Sequence, residues 1–157
     1  MKKIKVLSCV FTFAIMALIF CFSSQTAKES ASASSGLTYK IATLIGLFIK
    51  SLSADEILLY IHGLVRKLAH FVLFFVLGLS VSNTSVRMLD IRVKPMIWAS
   101  IGFCVFYAIT DEIHQMFVPG RAAQISDVFI DSIGAAAGCL LFFAIRYIFV
   151  RRRSDGI

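Results

Sequence analysis

The sequence predicts an all-α fold: a polytopic membrane bundle of four transmembrane helices with one or two extracytoplasmic interfacial helices. Three observations lead to it. The chain is 59% hydrophobic, against about 45–50% in ordinary soluble domains. Its apolar residues gather into four runs, at about 6–22, 64–81, 96–113 and 128–150, each close to the ~20 residues that a hydrocarbon core requires. Basic residues flank these runs instead of lining one face. The net charge of +7 therefore reflects topology and anionic membrane lipid, and nucleic acid is not expected as a partner.

The 157 residues suit one domain, 1–157. Cys9, Cys21, Cys104 and Cys139 all fall inside apolar runs without CxxC spacing. They read as small buried hydrophobes, with neither disulfides nor zinc.

The first run follows Lys2, Lys3 and Lys5 and resembles a signal peptide, but it is 17 residues long and no small-x-small site follows directly. It is expected to remain as an uncleaved span. Residues 26–36 are small and polar and read as a loop. Residues 37–50 carry Ile41, Leu44, Ile45 and Phe48 at helical spacing. At about 21 Å this segment is too short to cross a membrane and is expected to lie in the interface. Ser53 and Glu56 form a capping box, opening a helix that continues into the second span. Residues 82–94 are expected to be a polar loop, and Pro95 suits the first turn of the third span. Ser126 is the expected N-cap of the fourth span, and Arg151, Arg152 and Arg153 end it.

Orientation follows from the basic residues. Lys2, Lys3, Lys5, Arg87, Arg92, Lys94, Arg146 and Arg151 to Arg153 share one side in short segments. The positive-inside rule puts that side, and both termini, in the cytoplasm. Polar residues from all four spans then meet at the extracytoplasmic end.

Residues 107–131, YAITDEIHQMFVPGRAAQISDVFID, hold four of the nine acidic residues and one of the three histidines. Ionisable groups near a bilayer are costly and mark functional sites. Asp111 and His114 are spaced i, i+3, and Asp127 and Asp131 i, i+4, so each pair shares a helical face. A carboxylate and a histidine so placed can hold a metal or act as orienter and base. Neither pattern is specific, and no metal or other cofactor is assigned. Ser126 and Ser132 are conceivable nucleophiles without an elbow motif. The plainer alternative is an ion-pair network in which Arg66, Lys67 and Arg121 neutralise Asp111, Glu112, Asp127 and Asp131, with Arg66 and Glu112 free to snorkel to the headgroups. Gly134 and Gly138, spaced as GxxxG, mark a close-packing face, used inside the bundle or for a homo-oligomer.

FSSQ at 22–25, RKLAHF at 66–71, YAITDEIHQMFVPGR at 107–121 and SDVFIDSIGAAAG at 126–138 resemble the pattern of the VanZ-like family in order and spacing. Asp131 stands where many relatives carry Asn, so a negative charge there is not essential to the pattern. The resemblance implies a cell-envelope role related to tolerance of teicoplanin-type glycopeptides. It carries over as motif residues Gln25, Lys67, His70, Asp111, Glu112, His114, Gln115, Arg121, Asp127 and Asp131.

Three functions are then expected, in this order. The first is binding at the outer mouth of an anionic envelope lipid, a lipid-linked precursor or a lipoglycopeptide, with Arg66, Lys67 and Arg121 as contacts. The second is a membrane-embedded hydrolase or transferase, with His114 or His70 as base, Asp111 or Asp127 as orienter, and Arg121 stabilising developing charge. The third is a cluster that only holds four helices together.

Overall fold

In the computed structural model, residues 2–26, 29–30, 32, 35–36, 40–41, 54–89 and 91–154 are described, the side chains of 54–59 and 152–154 excepted. Four long helices follow one another: α1 (Lys2–Ser23), α2 (Ala54–Met88), α3 (Val93–Gln115) and α4 (Ile125–Ser154). All four are long and apolar enough to cross a membrane. Strands are absent among the described residues. Of the interfacial helix expected over 37–50, only Lys40 and Ile41 are described, both helical, and the rest lies outside the described residues. The capping box lies outside them too, because Ser53 and the side chain of Glu56 are not described.

Large apolar side chains such as Phe13, Trp98, Phe106, Phe129 and Phe149 stay exposed on the bundle's outside, as lipid-facing surfaces require. Inside, Ile19, Phe74, Leu77, Val81, Cys104, Ala108, Ala135 and Cys139 form one core. Only Cys104 and Cys139 are buried, whereas Cys9 is half-buried and Cys21 exposed. The expectation of four buried thiols is corrected to that extent: an apolar run around a bundle faces lipid as well as core.

The helices outrun the hydropathy runs that predicted them. α2 continues to Met88, so most of the loop expected over 82–94 is helix. The reason is side-chain satisfaction between helices. Thr12 Oγ1 lies 2.8 Å from Ser80 Oγ and 3.0 Å from Thr84 Oγ1, while Thr84 Oγ1 donates to the Ser8 carbonyl at 3.1 Å. Ser100 donates to Ser85 at 3.2 Å. Polar residues that read as loop are partners of polar residues on α1 and α3, which keeps them compatible with a helix in lipid. Similarly α3 begins at Val93, leaving Pro95 within the first turn, where its missing N–H is no loss.

α2 and α4 run parallel and make the bundle's closest contact. A Cβ built on Gly78 would stand 2.2 Å from the Ala135 carbonyl oxygen, one on Gly138 2.1 Å from that of Phe75, and one on Gly134 2.5 Å from that of Phe71. Backbone meets backbone at these positions, so only glycine fits. The Gly134/Gly138 face is therefore filled by α2 of the same chain.

Gly138→Ala and Gly78→Ala should each lower the thermal midpoint of the detergent-solubilised protein, by about 1–3 kcal/mol of overpacking strain. Gly102→Ala, whose added Cβ meets nothing within 4 Å, should be neutral or stabilising by about 0.5–1 kcal/mol. Equal behaviour of the three variants in thermal unfolding would contradict this packing.

Candidate functional site

Three local devices assemble the polar end of the bundle. The first is the turn after α3. The Phe117 and Val118 amides bond back to the His114 and Gln115 carbonyls at 3.0 and 3.1 Å, and Pro119 ends the winding. The Arg121 N–H then donates to the Val118 carbonyl at 3.1 Å, across Gly120 at φ 76°. Proline followed by a left-handed glycine is a type II turn. It sends the Arg121 side chain back over the end of α3.

The second device is Glu112, whose Oε1 accepts the Gln124 N–H at 2.6 Å. This buried carboxylate anchors the strand of loop entering α4, and it does not snorkel outward. α4 begins at Ile125, one residue before the expected cap. Ser126 lies inside the first turn and donates to Asp127 Oδ1 at 3.1 Å.

The third device is the α2–α4 glycine contact, which fixes the register of the two helices. It sets Lys67 against Asp127 and His70 against Asp131. Lys67 pairs directly with Asp127 and also donates to Gln124 Oε1 at 3.0 Å and Ser126 Oγ at 3.3 Å.

Gln115 is the centre of the site, with 1% of its surface exposed. Its Nε2 donates to Asp111 Oδ2 at 2.9 Å and to Ser23 Oγ at 3.4 Å. Ser23 in turn donates to Asp111 Oδ2 at 2.7 Å. On its other side, Gln115 Oε1 accepts from Arg66 Nη2 and, at 3.2 Å, from Arg121 Nη1. Arg121 Nη2 donates to the Phe22 carbonyl at 3.2 Å. Burial, and then the adjacent Arg66, push the Arg121 guanidinium down to about 10, so it stays charged at neutral pH.

The ion-pair network given above as the plainer alternative forms only in part. Of the three cations, Lys67 alone meets a carboxylate at ion-pair distance among the described residues. Both arginines converge on a neutral amide oxygen. Asp111 and Asp131 instead flank His70, with Nδ1 3.9 Å from Asp111 Oδ2 and 3.6 Å from Asp131 Oδ2.

Two motif residues stand apart from this centre. The Asp111–His114 pair suggested by spacing is not made. His114 stacks on Phe20, ring centroids 4.4 Å apart, and its Nε2 lies 3.0 Å from Ser24 Oγ. Among the described residues, Gln25 makes only a bond from its backbone N–H to the Phe22 carbonyl, at 3.3 Å. The end of α1 reaches the cluster through the Phe22 carbonyl and Ser23, while Ser24 just beyond it meets His114. Neither serine stands out in the sequence, because serine at a helix end reads as a cap or a loop, and no periodicity marks which of two neighbours turns inward. Ser132 makes no described bond to a histidine, and Ser126 serves Lys67 and Asp127.

The VanZ/LLP1 family model matches residues 8–148. The chain belongs to the VanZ/LLP1 family. No curated protein and no solved structure matches it. With four spanning helices, this VanZ/LLP1 member is a multi-pass membrane protein, consistent with a place in the cell envelope. The matched region takes in the greater part of all four helices and every residue of the polar cluster.

Lys67→Met should strand the half-buried Asp127 and destabilise the protein by about 1–2 kcal/mol, between the values for exposed and buried pairs. Adding Asp127→Asn should recover part of that loss. Thermal unfolding of both variants in detergent checks the coupling, and strictly additive losses would refute it.

Proposed function

We propose that this polar mouth is an outward-facing binding site for an anionic group, the phosphate or carboxylate of an envelope lipid, a lipid-linked precursor or a lipoglycopeptide. Binding there would contribute to tolerance of teicoplanin-type drugs. One observation carries the reading. The Arg66 and Arg121 guanidiniums share a neutral acceptor, Gln115 Oε1, and neither has a carboxylate at ion-pair distance among the described residues. Two adjacent like charges on one amide oxygen are poorly compensated in a medium of low dielectric. An oxyanion accepting from both forks would relieve them, with the strength of charge-assisted hydrogen bonds. The positive-inside distribution supports an extracytoplasmic location, and exposed apolar helix faces beside the mouth suit an acyl chain.

The test uses the purified full chain and a fluorescent phosphatidylglycerol displaced by unlabelled phosphatidylglycerol or phosphatidylcholine. Arg66→Gln and Arg121→Gln should each weaken binding of the anionic lipid about tenfold or more, given ~1.5–3 kcal/mol for a hydrogen bond to a charged group. In cells the same variants should lower lipoglycopeptide tolerance at unchanged membrane abundance. Wild-type affinity in the double variant would sink the proposal.

A second reading, a membrane-embedded hydrolase or transferase, is favoured by the placement of buried His70 between two carboxylates. His70 takes over from His114 as base in that case. Conversion of an envelope lipid by wild-type protein, lost in His70→Ala at normal abundance, would select it.

A further inference from the structure

The anion cradle makes no use of His70 and Asp131, which sit one layer deeper in the bundle's polar end. His70 Nδ1 is 3.6 Å from Asp131 Oδ2 and 3.9 Å from Asp111 Oδ2, beyond the ~2.7–3.2 Å of a protein hydrogen bond. Three groups thus face one another without bonding. Each carboxylate also keeps one oxygen, Asp111 Oδ1 and Asp131 Oδ1, buried and without a hydrogen-bond partner among the described residues. The two residues are 3% and 2% exposed, so water does not serve these oxygens from bulk. Buried unpartnered acceptors are costly and call for a specific explanation.

The geometry points to a site for one divalent cation, of the Zn²⁺ or Mn²⁺ class, ligated by His70, Asp111 and Asp131. One donor atom from each lies within 4.8 Å of the others. Two ligands about 2.1 Å from a tetrahedral ion stand about 3.4 Å apart, so the two gaps from His70, 3.6 and 3.9 Å, need only a small contraction. A cavity of about 10 Å³, room for a single water-sized occupant, adjoins two of the three ligands, His70 and Asp131, on the side facing Arg66, Lys67 and Asp127. One imidazole with two carboxylates suits Zn²⁺ or Mn²⁺ better than ions that prefer oxygen alone. Three protein ligands leave a coordination position open. Ser23 and Gln115, both donating toward Asp111 Oδ2, orient that ligand from outside.

Charge agrees with the assignment. With His70 neutral, three cations (Arg66, Lys67, Arg121) against four carboxylates (Asp111, Glu112, Asp127, Asp131) leave the mouth one negative charge. A divalent ion turns this into one positive charge, which a phosphodiester headgroup on the arginines would cancel. Gln115, bonded to both arginines and to Asp111, joins the two sites. The cation site stands on its own atoms, so failure of headgroup binding would leave it intact.

The full chain, purified in detergent and stripped with chelator, would be titrated with Zn²⁺ or Mn²⁺ alone. The expected result is one equivalent bound per chain, a raised thermal midpoint, and a bound-Mn²⁺ paramagnetic resonance signal coupled to nitrogen. Ser23→Ala should weaken binding roughly tenfold to hundredfold, as loss of an outer partner does. His70→Ala and Asp131→Ala should weaken it further, and His114→Ala should leave it unchanged. Uptake of neither ion by the wild-type protein, or a full equivalent retained by His70→Ala, would overturn the site. The wild-type titration decides even where a variant fails to fold.

Discussion

The close approach of α2 and α4 is the constraint on which the rest of this structure depends. Gly78, Gly134 and Gly138 let the two backbones touch where any side chain would collide with a carbonyl oxygen. In lipid no hydrophobic drive pushes helices together, so such van der Waals contact between small residues is a principal source of association. The same contact sets register. With the glycines locked onto Phe71, Phe75 and Ala135, Lys67 can only face Asp127 and His70 can only face Asp131. Packing in the apolar part of the bundle thereby decides the electrostatics of its polar end.

That end solves an expensive problem in an uneven way. One cation and one carboxylate, Lys67 and Asp127, pair directly. Arg66, Arg121 and Asp111 are arranged around a neutral residue. Gln115 offers its carbonyl oxygen to two guanidiniums and its amino group to a carboxylate, so opposite charges are separated by one amide instead of cancelling on contact. Full pairing would have made a tight structural clamp. Among the described residues, this arrangement leaves both arginines without a carboxylate at ion-pair distance and one oxygen each of Asp111 and Asp131 without a hydrogen-bond partner. Charge held apart in this way, at a place where unpaired charge is costly, is what a ligand site needs and what a structural network avoids.

Several features are legible in the amino-acid sequence. Four helices, the absence of soluble-domain character and the Pro119–Gly120 turn all follow from hydropathy and local steric rules, which act over short stretches of chain. Helix ends are less legible. Ser82, Thr84 and Ser85 read as a loop beginning because isolated polar residues lower hydropathy, whereas Thr84 and Ser85 find partners on α1 and α3. The preference of a serine for helix or loop depends on neighbours that local sequence does not name.

The same division runs through the site. The sequence by itself determined the membrane class, the four spans, the VanZ/LLP1 family and the gathering of ionisable residues around 107–131, since each rests on composition, spacing or motif. Only the tertiary structure decided who meets whom. Asp111 turns to Ser23, Gln115 and His70, and not to His114 three residues along its own helix. Spacing places two side chains on one face of a helix, but a face is wide. Which neighbour a side chain finds there is set by the rotation and depth of the helices packed against it, and here the glycine contact between α2 and α4 sets them.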